Sequence, residues 1–586
     1  MRIAVIDYEL CDPKKCDFAC MKICPRNRAG EECISKKEIV CKGVKRVVPV
    51  IDENMCIGCA LCVKKCPKKA ISVVNTPEQL KEAPVHRFGK NAFILFRLPI
   101  PVKGVVGMLG PNGVGKTTAL KILAGEIKPN LGSVDKEPDW SSIVKTYRGN
   151  ELQSYLEKLS QGHIKTAYKP QNVSDLIKET KEAGSAFLEG VSKEIIDTLE
   201  IKHCIDRESN TLSGGELQRV AIARTASQDA DIYYFDEPSS YLDVRQRMNM
   251  AKLIRGIAQD KPVLVVEHDL ATLDFLADRI HVFYGVPAVF GVVSKPYSAL
   301  NGINIFLNGY IREDNVRIRQ PITFEHSLRP EIKSKEAAIE FGTIEKSFKS
   351  FSMLVEPGKI YKEQILGIFG ANGLGKTTFA KILAGTLKPD KGKITENIKI
   401  SYKPQYLSSS FDGTVADILA AVKDPYSIEF KSELLEPLGI VRLLERQTKN
   451  LSGGELQRVA IALCLAREAD SYLLDEPSAY LDIDQRLAVA KILRDHITRT
   501  ETSVCVIDHD LLFLSYLSDH AMVFTGESGK RGHAVSMPLN QGFNQFLKEV
   551  GITFRQDPET KRPRANKLGS QKDTEQKEQG KYFLMG

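Results

Sequence analysis

The sequence has no apolar run approaching the roughly 18 residues that a membrane-spanning helix requires. Its longest candidate, 91–110, is interrupted by Arg97, Pro99, Pro101 and Lys103. No part of the chain is therefore expected to cross a membrane. The start, MRIAVIDYELCDP, lacks the basic-then-apolar pattern of a secretory leader and turns polar by Asp7, so a reducing cytoplasm is the expected compartment. Nothing resembles a flavin site or a haem signature. Cysteine is scarce beyond residue 67, where only Cys204, Cys464 and Cys505 occur. Scattered as they are, these three read as core residues.

What is present is concentrated. Ten of the thirteen cysteines precede residue 67, and in a cytoplasmic chain such crowding points to metal before disulfides. Residues 1–75 hold fifteen Lys and Arg against nine Asp and Glu, an excess of six in a chain whose whole formal excess is eight. Most of the positive imbalance thus sits on the cysteine-rich segment. The chain has 586 residues, and at roughly 150 residues per domain it should fold as about four units.

Comparison of the chain with itself reveals a repeat. GPNGVGKTT at 110 recurs as GANGLGKTT at 370, KPQ at 169 recurs at 403, LSGGELQR at 212 recurs at 451, and DEPSSYLD at 236 recurs as DEPSAYLD at 475. From the Ser of LSGG to the Glu of DEP is 24 residues in both halves (213 to 237, 452 to 476). From the phosphate loop to the Gln of KPQ is 61 residues in the first half and 35 in the second, so the first carries 26 extra. Within these, Trp140, Ile143, Val144 and Tyr147 keep helical spacing. After the breaker Arg148-Gly149-Asn150, so do Leu152, Tyr155, Leu156 and Leu159. The pattern predicts a helix-loop-helix insertion over about 138–162.

Cys56, Cys59, Cys62 and Cys66, followed by Pro67, have the CxxCxxCxxxCP spacing that wraps a [4Fe-4S] cube. Upstream, Cys11, Cys16, Cys20 and Cys24 also end in Cys-Pro. In two-cluster ferredoxins the cysteine before proline ligates the other cluster. That rule predicts one cluster on Cys24, Cys56, Cys59 and Cys62 and a second on Cys11, Cys16, Cys20 and Cys66. Zinc is the plainer alternative, but its sites are built from separated pairs. Cys33 and Cys41 fit neither quartet and read as free thiols. Electron transfer and a purely structural cross-link both remain compatible with these clusters.

The two glycine-rich loops follow apolar strand-like runs and precede KILAG helices, the context of a phosphate loop. Candidate ATP-binding residues are Gly110, Asn112, Gly113, Gly115, Lys116, Thr117 and Thr118, with Gly370, Asn372, Gly373, Gly375, Lys376, Thr377 and Thr378 in the second half. Glycine lets backbone N–H groups curl around phosphate, Lys116 and Lys376 reach the β- and γ-phosphates, and Thr117 and Thr377 can bind Mg²⁺. Asp236 and Asp475 end apolar strands and are placed to bind Mg²⁺, while Glu237 and Glu476 can orient or deprotonate water. His268 and His509 end later strands, where an imidazole can contact the γ-phosphate.

LSGGELQR, with the phosphate loop, KPQ, DEP and the strand-end histidine, resembles the ATP-binding cassette superfamily from about residue 80 to 550. The resemblance implies that Ser213, Gly214 and Gly215 complete the ATP site of Lys376, and that Ser452, Gly453 and Gly454 complete the site of Lys116. Asp243 and Asp482 are implied to lie between the sites, Gln171 and Gln405 to join the Mg²⁺ sets, and Phe88 and Phe348 to stack on adenine. Fused cassettes alone leave three classes open: a transporter ATPase, a redox enzyme and a mechanochemical ATPase acting on a ribonucleoprotein.

Paired ferredoxin-like cysteines, twin cassettes, the insertion containing YRGNELQSYLEKL, and SYLDVRQR together resemble the ABC-E ribosome-recycling family, also called the RNase L inhibitor family. The implied fold is α/β, with two ABC-type P-loop domains arranged head to tail, an N-terminal ferredoxin-like α+β iron-sulfur domain and hinge segments. Its expected bounds are 1–75, 80–293, a hinge at 294–320, 321–538, and a C-terminal hinge and tail at 539–586. The resemblance further implies a monomeric ATPase with Mg²⁺-ATP at two sites and two [4Fe-4S] clusters. Closure of the cassettes would move the iron-sulfur domain and split ribosomes after termination or stalling. Implied partners are the ribosome, above all its small subunit and rRNA, and a release factor or Pelota-type factor. KRPRANK from Lys561 is a candidate for phosphate contacts. Cys41 lies outside the family's usual set, and Phe88 stands where tyrosine is more familiar.

Overall fold

The computed structural model of the chain describes residues 2–6, 11, 13–41, 44–52, 55–67, 70–75, 83–88, 93–133, 137–173, 188–287, 289–322, 324, 336–395, 398–405 and 411–584. The chain forms two compact units. One comprises Met1–Ile100, Asn112–Glu157 and Ile280–Ile322, the other Pro101–Pro111, Lys158–Arg279 and Thr323–Gly586.

In the first unit the cysteine-rich segment pairs strand Arg2–Ile6 antiparallel with Ile71–Asn75, and Ile34–Cys41 with Val44–Ile51. Short helices Pro13–Cys16, Ala19–Ile23 and Leu61–Lys65 carry Cys16, Cys20 and Cys62. Two of these helices stop at a Cys-Pro pair for a steric reason: a residue before proline is pushed out of the helical region. Cys24 and Cys66 accordingly are extended, at ψ 123° and 112°. Cys11, Cys20, Cys24, Cys56 and Cys62 are themselves core residues, packed with Ile6, Ile34 and Ile71. Few aliphatic side chains are buried here, so whatever the thiols bind contributes to holding the segment together.

The hinge belongs physically to this segment. Helix Ala299–Asn308 ends at Gly309, whose φ of 69° reverses the chain into a hairpin of Tyr310–Ile311 and Val316–Arg317. Val316 then pairs with Asn75, extending the sheet in the order Arg2–Ile6, Ile71–Asn75, Val316–Arg317, Tyr310–Ile311. At the hairpin turn, Asp314 accepts two bonds from the Arg97 guanidinium at 2.8 and 2.9 Å and one from the Tyr284 hydroxyl at 2.8 Å. The insertion forms helices Trp140–Thr146 and Leu152–Ser160, the first capped by Asp139, which accepts from Ser142 N at 3.2 Å. Its apolar face buries Ile143, Leu152 and Leu156, and the Tyr155 hydroxyl donates to Leu123 O. The insertion therefore packs on the phosphate-loop helix Lys116–Leu123.

The second unit holds parallel strands Gly104–Leu109, Pro262–Val266, Ile232–Asp236 and Thr166–Lys169 of the first cassette. It also holds the whole eight-stranded mixed sheet of the second. There Ile365–Gly370, Ser503–Ile507, Ser471–Asp475 and Ile400–Lys403 run parallel, and His520–Glu527 pairs antiparallel with Arg531–Pro538. Central strands such as YLLD and VCVI are buried on both faces, which explains their unbroken apolar runs. Each such Val, Leu or Ile contributes about 1.5–3 kcal/mol relative to exposure. Cys204, Cys464 and Cys505 are buried in these cores.

The tail is ordered: helix Leu539–Val550 leads to strands Phe554–Gln556, Pro563–Ala565 and Phe583–Leu584. Here one expectation fails. Within KRPRANK, Arg562 has no solvent exposure and forks onto Asp274, Arg564 reaches the same carboxylate at 3.3 Å, and Lys567 lies 3.4 Å from Asp278. Arginines committed to buried carboxylates are not available to phosphate.

Candidate ATP sites and thiol-lined cavities

In the second cassette the glycine-rich loop turns into helix Lys376–Leu383 through Gly375 at φ 99°. A Cβ there would come within 2.9 Å of both Met353 Sδ and the Phe351 ring, so glycine is required twice over. Lys376 Nζ donates to the carbonyls of Gly370 and Ala371, each at 2.8 Å. Burial pushes this ammonium down to about 8. Thr377 Oγ1 donates to Asp475 Oδ2 at 3.0 Å, Gln405 Nε2 to Glu476 Oε1 at 2.8 Å, and His509 Nε2 lies 3.5 Å from that same oxygen. Thr377, Gln405, Asp475, Glu476 and His509 thus converge beside the loop.

Two carboxylates and a buried imidazole set the electrostatics. Burial, reinforced by Asp508 and Asp475, pushes Glu476 up to about 7. Burial, with Lys376 and Arg247, holds His509 well below its ordinary value, leaving a neutral imidazole. Glu476 adopts a left-handed φ of 49°, and Glu237 one of 45°. Such backbone costs of order 1–3 kcal/mol and persists only where the surroundings enforce it. The enforcement is visible: Glu476 N donates to Ile507 O at 2.7 Å, and Gln457 Nε2 donates to Glu476 O at 2.6 Å.

In the first cassette the same contacts surround Glu237. Gln171 Nε2 donates to Glu237 Oε1 at 2.7 Å, His268 Nε2 lies 3.5 Å from that oxygen, and Gln218 Nε2 donates to Glu237 O at 2.7 Å. Lys169 Nζ donates to Asp236 O at 2.9 Å, as Lys403 Nζ does to Asp475 O at 2.7 Å; burial pushes both ammonium groups down to about 8. Gly115, at φ 92°, precedes helix Lys116–Leu123, with Thr117 and Thr118 in its first turn.

Each signature serine is an N-cap. Ser213 and Glu216 form a reciprocal capping box on helix Gly214–Ala226, as do Ser452 and Glu455 on Gly453–Ala466. Such a cap contributes about 1 kcal/mol. Asp243 caps Val244–Ile257 through one oxygen, while its Oδ2 accepts from Asn372 N of the other cassette's phosphate loop at 2.8 Å. Asp482 caps Ile483–Thr500 in the same way. Phe88 and Phe348 are about half exposed, with Phe348 stacked on Phe351. Sequence reasoning missed Lys169 and Lys403, Gln218 and Gln457, and Tyr241 and Tyr480 as individual residues. All six lie inside repeated motifs, and that repetition was the available signal.

The cysteines line two cavities. One is bordered by Cys24, Cys33, Cys56, Cys59 and Cys62, the other by Cys11, Cys16, Cys20 and Cys66. Each predicted quartet shares one cavity, including the exchange of Cys24 and Cys66 between runs. Soft sulfur donors converging with no carboxylate between them suit iron-sulfur chemistry. Burial pushes the Cys20 and Cys62 thiols up to about 11, so thiolates there need a cation beside them. Cys33, expected as a free thiol, is a buried free cysteine that borders the first cavity beside the predicted quartet, where the Asn27 amide clamps Ile34 N and O at 2.8 and 2.7 Å. The Cys41 side chain lies outside the described residues. Among described residues no helix is long and apolar enough to cross a membrane.

Known proteins match both the cassette and the cysteine-rich parts of the chain. The ABC transporter family model matches residues 96–240 and 357–479. A possible Fer4-like domain in RNase L inhibitor matches 1–32, and a 4Fe-4S binding domain matches 49–72. An uncharacterized ABC transporter ATP-binding protein of Methanocaldococcus jannaschii is 50% identical over 100% of this chain and 98% of its own. Translation initiation factor RLI1 of Saccharomyces cerevisiae is 42% identical over 100% and 98%. Among solved structures, a model of ribosome-bound archaeal Pelota and ABCE1 contains a chain 50% identical, with TM-score 0.82 and coverage of 100% and 99%. The archaeal ribosome recycling factor aABCE1, in complex with the ribosomal stalk protein aP1, is 50% identical with TM-score 0.81, covering 86% of this chain and 99% of its own. With two ABC ATPase domains behind an iron-sulfur domain, the chain belongs to the RNase L inhibitor, or ABC-E, family.

Proposed function

We propose that this chain is an ATP-driven ribosome-recycling factor of the cytoplasm, acting as a monomer whose two cassettes close on two ATP molecules. Lys116 and Lys376 hold the phosphates. Thr117, Gln171 and Asp236, with Thr377, Gln405 and Asp475, are placed to hold Mg²⁺, which when bound would offset charge on the β- and γ-phosphates. Glu237 and Glu476 accept the proton of the attacking water, His268 and His509 contact the γ-phosphate, and ADP and phosphate leave. Ser213, Gly214 and Gly215 serve the ATP on Lys376, and Ser452, Gly453 and Gly454 the ATP on Lys116. Asp243 and Asp482 lie between the sites, and Phe88 and Phe348 stack on adenine.

The two cysteine quartets are suited to two [4Fe-4S] clusters that stiffen the module. The observation that carries the mechanical reading is the pairing of hinge residue Val316 with Asn75: a displaced hinge must displace the cysteine module, because they share one sheet. Similarity over 86% of the chain to a ribosome recycling factor, and over its full length to ABCE1 bound with Pelota on the ribosome, supports this target. Its partners are then the small subunit with its rRNA and a release factor or Pelota-type factor. Co-sedimentation with small ribosomal subunits tests this reading. Association should require ATP or a non-hydrolysable analogue, and nucleotide-independent or absent association contradicts it.

A further inference from the structure

Tyr241 and Tyr480 occupy equivalent places in the two cassettes, one residue after Ser240 and Ala479, in SSYLD and SAYLD. Both are held in the left-handed region, at φ 65° and 63°. Both rings are about half exposed, yet each lies over its own signature glycines. A Cβ on Gly214 would come 3.3 Å from the Tyr241 ring, and one on Gly453 would come 3.1 Å from the Tyr480 ring. A Cβ on Gly215 or Gly454 would come 2.9 or 2.8 Å from the respective tyrosine carbonyl. Each tyrosine therefore follows any displacement of its signature loop.

The two tyrosines also meet each other. Their hydroxyls are 3.0 Å apart and their rings pack edge to face, with centroids 6.1 Å apart and an interplanar angle of 77°. Two residues on, Asp243 bonds the second cassette's phosphate loop at Asn372 N. A continuous line of contact runs from Gly214 through Tyr241 and Tyr480 to Gly453.

We propose that the Tyr241–Tyr480 hydroxyl contact is a positioning link that couples the two ATP sites, each tyrosine reporting the place of its own signature loop to the other. The proposal rests on the reading that each signature loop serves the opposite cassette's ATP. Phenylalanine keeps the ring on the glycines and removes the shared hydrogen bond. One bond joins the pair, so losing either hydroxyl loses all of it. This is the behaviour that separates a link from two independent packing roles.

The test uses the full chain in a Glu237→Gln/Glu476→Gln background, in which ATP binding is read at equilibrium. The parent should bind its second ATP more tightly than its first. Tyr241→Phe and Tyr480→Phe should each reduce that ratio about three- to tenfold, the scale of one hydrogen bond. The double Phe variant should reduce it no further, and thermal melting should be unchanged throughout. Effects that multiply in the double variant, an unchanged ratio, or a parent that binds its two ATP molecules independently overturn the proposal. Ser213→Ala and Ser452→Ala form a separate arm. If neither weakens ATP binding, the underlying reading of the signature loops is what fails.

Discussion

Arg562, in the C-terminal tail, forks onto Asp274 of the first cassette's helix Leu270–Leu276, and neither side chain has any solvent exposure. Removing one member of a buried ion pair costs about 3–5 kcal/mol, and Arg564, at 3.3 Å, keeps only a single contact to the same carboxylate. Arg562→Ala should therefore lower hydrogen-exchange protection of helix Leu270–Leu276 about a hundredfold or more. Asp274→Leu combined with Arg562→Met should restore most of it. Full protection in Arg562→Ala alone would show that the pair does not tie the tail to this helix.

Glu237 and Glu476 each receive a glutamine amide on one oxygen, at 2.7 and 2.8 Å, and each sits in strained backbone. Loss of a general base lowers turnover about 10²- to 10⁴-fold. The double variant Glu237→Gln/Glu476→Gln should lose ATP hydrolysis on that scale while still binding ATP. Phosphate release near the parent rate would remove both residues from the chemistry.

His496 gives the second cassette a pH dependence. It packs beside Tyr472, and burial, then Arg499 and Lys423, pushes its imidazolium down to about 4. An unfolded histidine, near 6.5, takes its proton first, so the folded state loses stability as pH falls from about 6.5 to about 4. The difference amounts to at most about 3 kcal/mol. His496→Gln should shrink the fall in melting temperature between neutral pH and pH of about 4.5, measured on the full chain. An identical fall in both proteins would assign the acid sensitivity to other groups.

Cys59 lines the cavity that also contains Cys24, Cys56 and Cys62. Cys59→Ser should halve the iron content of purified protein, leave ATP turnover within about twofold because the cassettes supply their own ATP residues, and abolish subunit splitting. Equal loss of turnover and splitting would instead make the clusters a requirement for folding of the whole chain.

The fold class and the paired halves were legible because phosphate loops, LSGGELQR and DEP repeat in register on strand and helix boundaries. The cavity partners were legible for a local reason, since Cys-Pro ends a short helix and turns Cys24 and Cys66 away from their own runs. Arg562 was not legible: its partner lies 288 residues away, and a basic run looks the same whether it meets phosphate or a buried carboxylate. Cys33 was hidden because its place at the first cavity depends on Asn27 clamping the next residue, Ile34, across the turn, a contact that cysteine spacing does not encode. Tyr241 and Tyr480 sat inside recognised motifs, but their meeting depends on how two cassettes face each other.

Whether ATP-driven motion of the cysteine module separates ribosomal subunits is read by light scattering of assembled ribosomes mixed with the protein, ATP and a Pelota-type factor. Scattering should fall only with ATP and both cysteine quartets present, and the fall should disappear when Val316→Pro breaks the hinge pairing with Asn75. Undiminished splitting by the Val316→Pro protein, or splitting without ATP, would contradict this mechanism.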